Sequence, residues 1–458
     1  MPYIHEASFE NGAVALLPFG FTPSDQNVFT VVVGKNGEGK SRLLGAIAKE
    51  HIRVSESFGA FRSSQEPRVI AASTSPFDKF PSTPRWKELD SKSNYRYVGI
   101  RGDGVNNASS SVALISSAAK GLLDKIITRR DLAQLRAVFD SLNFSYEVEF
   151  VFKPSYLRST YRESGYAVEY GSLSGFNQDL KRLNELYGVA LESRFIGTLE
   201  RMQNSQREQA LWALEVLSKY GVEKKAISFL FNFQDLDYSI NGTMQEKRIV
   251  ESVFILLTCG LMRLIDLRLK KKNYGAMSLK KASSGEQCMI VLMLGIAGHI
   301  NDGSLILIDE PEISLHPEWQ EAFMELLSRT FSGYSGCHFI IATHSPQIVA
   351  KLNEKNCFIT SLTKRNIFSA SHFANRSADF QLAELFDAPG SKNEYISRLA
   401  FNLLAKVKSK KCLHPTELEA LQHLLHLSES IASDDPIKVL VASVKEVCDS
   451  YANDNKSN

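Results

Sequence analysis

Eight residues, Gly34-Lys35-Asn36-Gly37-Glu38-Gly39-Lys40-Ser41, constrain this chain of 458 residues more than any others. They fit the pattern GxxxxGK[ST] and follow an unbroken β-prone run, Val28-Phe29-Thr30-Val31-Val32-Val33, suited to a buried strand. The next residues, Arg42-Leu43-Leu44-Gly45-Ala46-Ile47-Ala48, have helical apolar spacing. Strand, glycine loop and helix is the order that a phosphate-binding unit needs, because glycines let successive backbone N–H groups turn onto phosphate oxygens at a helix N-terminus. Gly34, Asn36, Gly37 and Gly39 are expected to shape that cradle, and Lys40 to reach the β and γ phosphates. Ser41 is expected to ligate Mg2+ through its hydroxyl. The predicted cofactors are ATP and Mg2+.

Other apolar runs end in polar residues that suit the same chemistry. Leu305-Ile306-Leu307-Ile308 reads as a buried strand closing on Asp309-Glu310. Asp309 is placed to share the metal with Ser41, and Glu310 to polarise an attacking water as general base. Phe339-Ile340-Ile341-Ala342-Thr343-His344 is one more such strand, ending in a histidine. Val69-Ile70-Ala71-Ala72 is another, and the loop Ser73-Thr74-Ser75-Pro76-Phe77-Asp78 after it lines the ligand crevice. Gly285 of Ala282-Ser283-Ser284-Gly285-Glu286-Gln287 stands 24 residues before Asp309. Ser283 offers a hydroxyl and Gly285 an unobstructed N–H at the start of the helix that runs on through Leu292, where the dipole favours anions.

The composition, 44% apolar and 23% charged, is ordinary for a globular chain able to bury a sizeable core. A net charge of +2 falls short of the excess that would itself indicate nucleic acid, so any DNA or RNA contact must be local. Lys270-Lys271-Lys272, Lys280-Lys281 and Lys406, Lys408, Lys410, Lys411 are the basic clusters, with solvated faces as the default reading. The six cysteines are scattered without a CxxC pair and read as reduced core thiols. His414, His423 and His426 lack partners at metal-ligand spacing and read as helix surface. No stretch of 18 apolar residues and no leader pattern occurs, which predicts a cytoplasmic protein without membrane association.

The predicted fold class is α/β. Residues 1–112 carry the first part of the nucleotide-binding head, and 113–245 an inserted, mainly helical lobe with some strands. Residues 246–367 complete the head, and 368–458 form a helical, partner-binding region with a disordered tail from Asn453 to Asn458. A helix or helix pair is expected over Ala113–Leu142, a second helical block over Phe195–Tyr220, and a long apolar helix from Ile249 to Ile265. Phe19, Phe21 and Phe29 are the aromatic candidates for stacking on adenine, with core packing the default for each.

Together these motifs resemble the ABC-type P-loop ATPase heads of the chromosome-maintenance and double-strand-break-repair branch. In that resemblance Ala282–Gln287 is the signature, Ile313-Ser314-Leu315-His316-Pro317 the D-loop and His344 the switch histidine that contacts the γ-phosphate. No residue near Ser75 to Phe80 matches the glutamine of such heads. The phrases from Ile308 to Pro317 and from Ala342 to Pro346 resemble ATPases of phage-defence systems. Val69 to Phe80 and Ser377 to Phe386 look like the Septu-type defence ATPase family PtuA, also found with retrons. That resemblance implies a homodimer or higher homo-oligomer that sandwiches ATP between heads, with Ser283 and Gly285 of one chain covering the nucleotide of another. It also implies a separate HNH nuclease partner, PtuB. Overcoming-lysogeny-defect nucleases share a similar head, but the tail after Phe368 lacks their strand-borne acidic set, so nuclease activity is not expected in this chain. The alternatives are an ATPase similar to the RecF class that binds DNA directly, or an ATP-binding scaffold with little turnover.

Overall fold

The computed structural model describes residues 3–10, 12–22, 25–53, 68–81, 93–101, 110–154, 157–158, 175–191, 193–219, 226–244, 247–273, 275–352, 356–410 and 414–454. Its central sheet has seven strands in the order Asn366–Ser369, Cys357–Ser361, Val28–Val33, His338–Ala342, Leu305–Asp309, Val69–Ser73, Tyr95–Gly99. Neighbours are parallel except at the edge, where Asn366–Ser369 runs antiparallel to Cys357–Ser361. Parallel strands must be covered on both faces, and the continuous apolar runs reflect that demand.

Alternation along each strand assigns the two faces. Val32, Ala71, Leu305, Leu307 and Ile340 pack with Leu43, Leu44 and Ile47 of the helix Lys40–His51. Val31, Val33, Ile70, Ile306, Ile308 and Ile341 join the larger core with Met289, Val291, Met293 and Ile296 of the helix Ser284–His299. Ser73, Asp309, Ala342 and Val32 stand level in register, so the loops after four parallel strands open at one edge of the sheet. Ligands of open α/β sheets bind at such an edge.

The helix Ser110–Thr128 lies against Ser284–His299 at close range. A Cβ on Gly298 would fall 2.6 Å from the backbone nitrogen of Leu122, so the two helices touch where neither carries a side chain. The segment expected as a helix or helix pair over Ala113–Leu142 is the pair Ser110–Thr128 and Leu132–Ser141. The second block is likewise divided into Ser193–Glu200 and Asn204–Lys219.

A second, six-stranded antiparallel sheet has the order Thr243–Met244, Asp237–Ile240, Ile227–Asn232, Phe144–Pro154, Met262–Lys271, Gly275–Ser278. It draws strands from both sides of residue 245, and its longest member, Phe144-Ser145-Tyr146-Glu147-Val148-Glu149-Phe150, alternates in the pattern of a half-buried strand. The predicted helix over Ile249–Ile265 is corrected: it ends at Thr258, and Met262–Lys271 is a strand. Gly260 takes φ 75 and breaks the helix there, and a short apolar run cannot by itself separate strand from helix.

The C-terminal helices Glu394–Lys410, Pro415–Glu429 and Pro436–Asp454 form their own core around Ile396, Leu403, Leu424, Val441 and Val444. Asn453 and Asp454, placed by the sequence in the disordered tail, belong to the last of these helices, while the rest of that tail and Cys412 lie outside the described residues.

Candidate nucleotide site

Gly37 and Gly39 have φ of 87 and 95, in the left-handed region that costs other residues, and Gly39 caps the helix that Lys40 begins. Lys40 is 6% exposed, and its ammonium folds back across the loop to the carbonyl oxygens of Gly34 at 2.8 Å and Lys35 at 3.2 Å. Burial lowers its pKa; the carboxylates of Glu310, Glu38, Glu312 and Asp309 oppose that shift. A buried cation between backbone carbonyls and acids is placed to exchange its carbonyl partners for phosphate oxygens. Asn36 is exposed.

Ser41 Oγ donates to Asp309 Oδ1 at 3.0 Å, joining residues 268 apart in sequence. Asp309 is 1% exposed, and its Oδ2 has no hydrogen-bond partner. Burial pushes this carboxyl up to about 7, with the Ser41 hydroxyl working against that and Glu310 adding to it. A buried carboxylate with one orphaned oxygen beside a hydroxyl fits a hard divalent cation, whose charge would offset the cost of burial.

Glu310 follows Asp309 with φ 48, its N–H held by Ala342 O at 2.9 Å. Its Oε1 lies 3.7 Å from His344 Nδ1. Nearer still is Glu312, which the sequence reading did not single out: its Oε1 accepts from the backbone N–H of His344 at 2.8 Å and stands 3.1 Å from Nδ1. Glu312 is 6% exposed, its Oε2 is unpartnered, and burial raises its pKa. A third acid four residues into Asp309-Glu310-Pro311-Glu312 was the available signal.

Ser283 and Gly285 are placed differently. Ser283 is exposed and caps its helix, its Oγ accepting from Glu286 N at 3.3 Å. Gly285 is buried against the loop Ile313–His316, where an added Cβ would fall 2.7 Å from Ser314 O. Within one chain, then, Lys40, Ser41, Asp309, Glu310 and His344 are joined by contacts or electrostatics. Gly285 meets the loop that follows Asp309-Glu310.

A cleft of about 360 Å³ adjoins the phosphate loop, lined by Phe9, Val14, Gly37, Glu38, Arg42 and Thr363 among others. Phe9 comes from the N-terminal hairpin Glu6–Phe9 and Gly12–Ala15, and the Arg42 guanidinium sits 5.9 Å from its ring centre. Phe9 is therefore the aromatic best placed to face a base, and a single phenylalanine in a short exposed hairpin gave no sequence signal. Of the earlier aromatic candidates, Phe29 stacks on Phe339 in the core, Phe21 packs edge-on against Phe358, and Phe19 is fully exposed. Glu38 is held by the Thr363 hydroxyl at 2.7 Å and accepts from Lys35 N at 2.8 Å.

At the end of the strand Val69–Ser73, Ser73 Oγ donates to Asp309 O at 3.2 Å. Arg101 and the Tyr97 hydroxyl, at 2.7 Å, hold the buried Asp78. The basic run is largely neutralised, with Lys270 on Glu147, Lys271 on Glu286 and Lys272 on Asp140. Lys410 pairs with Glu417 at 2.8 Å. His423 faces Glu384 at 3.0 Å, and no group of three or more His, Cys, Asp or Glu among the described residues is arranged to hold a metal. None of the described helices is long and apolar enough to cross a membrane.

Comparison with known proteins adds the family. The model described as "AAA domain, putative AbiEii toxin, Type IV TA system" matches residues 100–350, more than half of the chain. The chain is 31% identical over 106 residues, 21% of its length, to "Retron Ec83 probable ATPase" of Escherichia coli, covering 19% of that protein. It is 30% identical over 95 residues to "Retron Vc95 probable ATPase" of Vibrio cholerae serotype O1 biovar El Tor, 18% of each chain. "Protein ea59" of Escherichia phage lambda is 34% identical over 87 residues, 19% of this chain and 16% of that one. The matches thus span under a fifth of each relative's length.

Proposed function

Because the chain belongs to the AbiEii-type AAA domain family, we propose that it binds and hydrolyses ATP, and that two copies close around the nucleotide during each cycle. One observation carries the reading: the Ser41 hydroxyl meets Asp309 at 3.0 Å at the mouth of the glycine loop, while the second oxygen of that buried carboxylate has no partner. Mg2+ held there would screen the β and γ phosphates and draw charge from the breaking bond.

The chain's own residues divide the work. The loop amides and Lys40 hold the triphosphate, and Ser41 and Asp309 supply oxygen ligands. Glu310, a quarter exposed beside His344, orients the attacking water and takes its proton. His344 faces the terminal phosphate. Ser283 and Gly285 of a second copy close the open side, which agrees with the exposure of Ser283 and Ser284 at the start of their helix. The names of the retron relatives agree with an ATPase, and the proposal extends to a place in anti-phage defence where ATP binding and release would govern a separate nuclease of the HNH class through the C-terminal helices.

The test is ATP turnover by the purified chain as its concentration is varied. Per-molecule turnover that rises with concentration and requires Mg2+ supports the reading. Binding without turnover, or turnover indifferent to dilution below self-association, removes hydrolysis or the two-copy closure respectively.

A further inference from the structure

Gln320 lies on the helix Pro317–Thr330, half-buried, and bridges two loops. Its Nε2 donates to Leu315 O at 3.0 Å, and its Oε1 accepts from Ser345 Oγ at 2.6 Å. Since a backbone carbonyl can only accept, these contacts fix which way the amide points. Leu315 belongs to the loop that Gly285 touches at Ser314, and Ser345 directly follows His344.

Glu312 reaches the same histidine from the other side. Its carboxylate accepts the His344 N–H at 2.8 Å and faces Nδ1 at 3.1 Å. A carboxylate there keeps the proton on Nδ1, which leaves Nε2 as the ring nitrogen open to a ligand. Burying a carboxylate with one oxygen unpartnered is costly, and it is found where function, not folding, sets the residue.

The backbone around it points the same way. Glu310 with φ 48 and Ser314 with φ 69 are both non-glycine residues in the left-handed region, and they flank Glu312. Such conformations persist only where surrounding contacts hold them.

We propose that Glu312 and Gln320 are positioning residues for His344. Glu312 fixes the ring, and Gln320 ties the loop Ile313–His316 to the backbone that carries it. A surface docking on that exposed loop would then reach His344 through Leu315 O, Gln320 and Ser345, so that closure by a second copy sets the histidine for hydrolysis. This inference rests on the ATPase reading above.

Steady-state turnover, ATP titration and thermal melting of Gln320→Ala, Glu312→Gln, His344→Ala and the double variant His344→Ala/Gln320→Ala test it. Gln320→Ala should lower kcat about tenfold with ATP affinity within about twofold of wild type, the cost of a modest misplacement near reacting groups. Glu312→Gln keeps an acceptor for the His344 N–H but no charge for the ring, and should lower kcat further. The double variant should be no slower than His344→Ala. Gln320→Met, of similar volume without the hydrogen bonds, replaces Gln320→Ala if melting shows that the alanine variant does not fold. Wild-type turnover in the Gln320 variant, or a further tenfold loss when it is added to His344→Ala, overturns the inference alone. Wild-type turnover in His344→Ala, or none in the wild-type chain, overturns the ATPase reading beneath it.

Discussion

Lys40, Ser41 and Asp309 sit at the mouth of the parallel sheet, the first and last of them nearly out of solvent, and each touches another residue of the group or the loop itself. Ser283 and Ser284 begin a helix whose body is buried, yet both stand exposed. One half of the candidate site is built by the chain for itself; the other is presented outward. The contrast separates a set fixed by contacts within the chain from a set left at the surface, which is what the proposed closure by a second copy would need. Burial supplies low dielectric and fixed geometry to the first half, whereas the second is an exposed helix start whose dipole favours negative charge.

The largest expected effect breaks the buried half. Glu310→Gln should lower turnover by about a hundredfold or more while ATP binding persists, the usual range for losing a general base. Phosphate release and nucleotide titration check it, and turnover near wild type would remove Glu310 from that role. On the exposed half, Ser283→Arg should leave ATP binding by the single chain intact and cut turnover by roughly tenfold or more, through loss of closure. Light scattering with and without ATP reads that directly; ATP-driven association as in wild type would show the edge is not the covering surface.

Between the halves stands Gly285, where a side chain meets Ser314 O. Gly285→Val should cost about 1–3 kcal/mol in denaturant unfolding, the range for overpacking a filled space. Phe9→Ala should weaken ATP binding about tenfold, from loss of one stacking surface, whereas Phe19→Ala should leave it unchanged. Equal affinities in the two variants would place the base elsewhere.

The smallest effect concerns the strand His338–Ala342 beneath the buried half. His338 Nδ1 accepts from Ile4 N at 3.2 Å, Nε2 contacts Thr30 Oγ1 at 2.9 Å, and burial lowers its pKa to about 3. The folded value lies below the unfolded one near 6.5, so the ring's contribution is complete above that pH and fades as acid protonates the unfolded chain first. Unfolding free energy should fall by about 1 kcal/mol per such ring between pH 8 and 6. Part of that slope should vanish in His338→Gln, with His299, also buried and lowered, keeping the remainder. An unchanged slope in the variant would show that the ring titrates alike in both states.

Much of this was legible beforehand for a physical reason. Val28–Val33, Leu305–Asp309 and His338–Ala342 are continuous apolar runs, and the glycines of 34–39 have a use that few other patterns share, so local chemistry named the strands and the loop. Met262–Ile265 read as the end of a helix because an apolar run alone does not separate strand from helix, and their strand character comes from pairing with Phe144–Pro154. Phe9 and Glu312 were missed because only the fold sets Phe9 beside Arg42 and Glu312 against His344.

The sequence by itself determined where the backbone would turn through left-handed glycines after a buried strand and that Asp309 would end another, since both follow from steric freedom and hydrophobic period over a few residues. Only the tertiary structure decided that Asp309 would meet Ser41 across 268 positions, that Glu312 would reach His344, and that Gly285 would touch Ser314 while Ser283 stayed outside. Those outcomes depend on strand order and register, which arise from the packing of distant segments and leave no mark on any one of them.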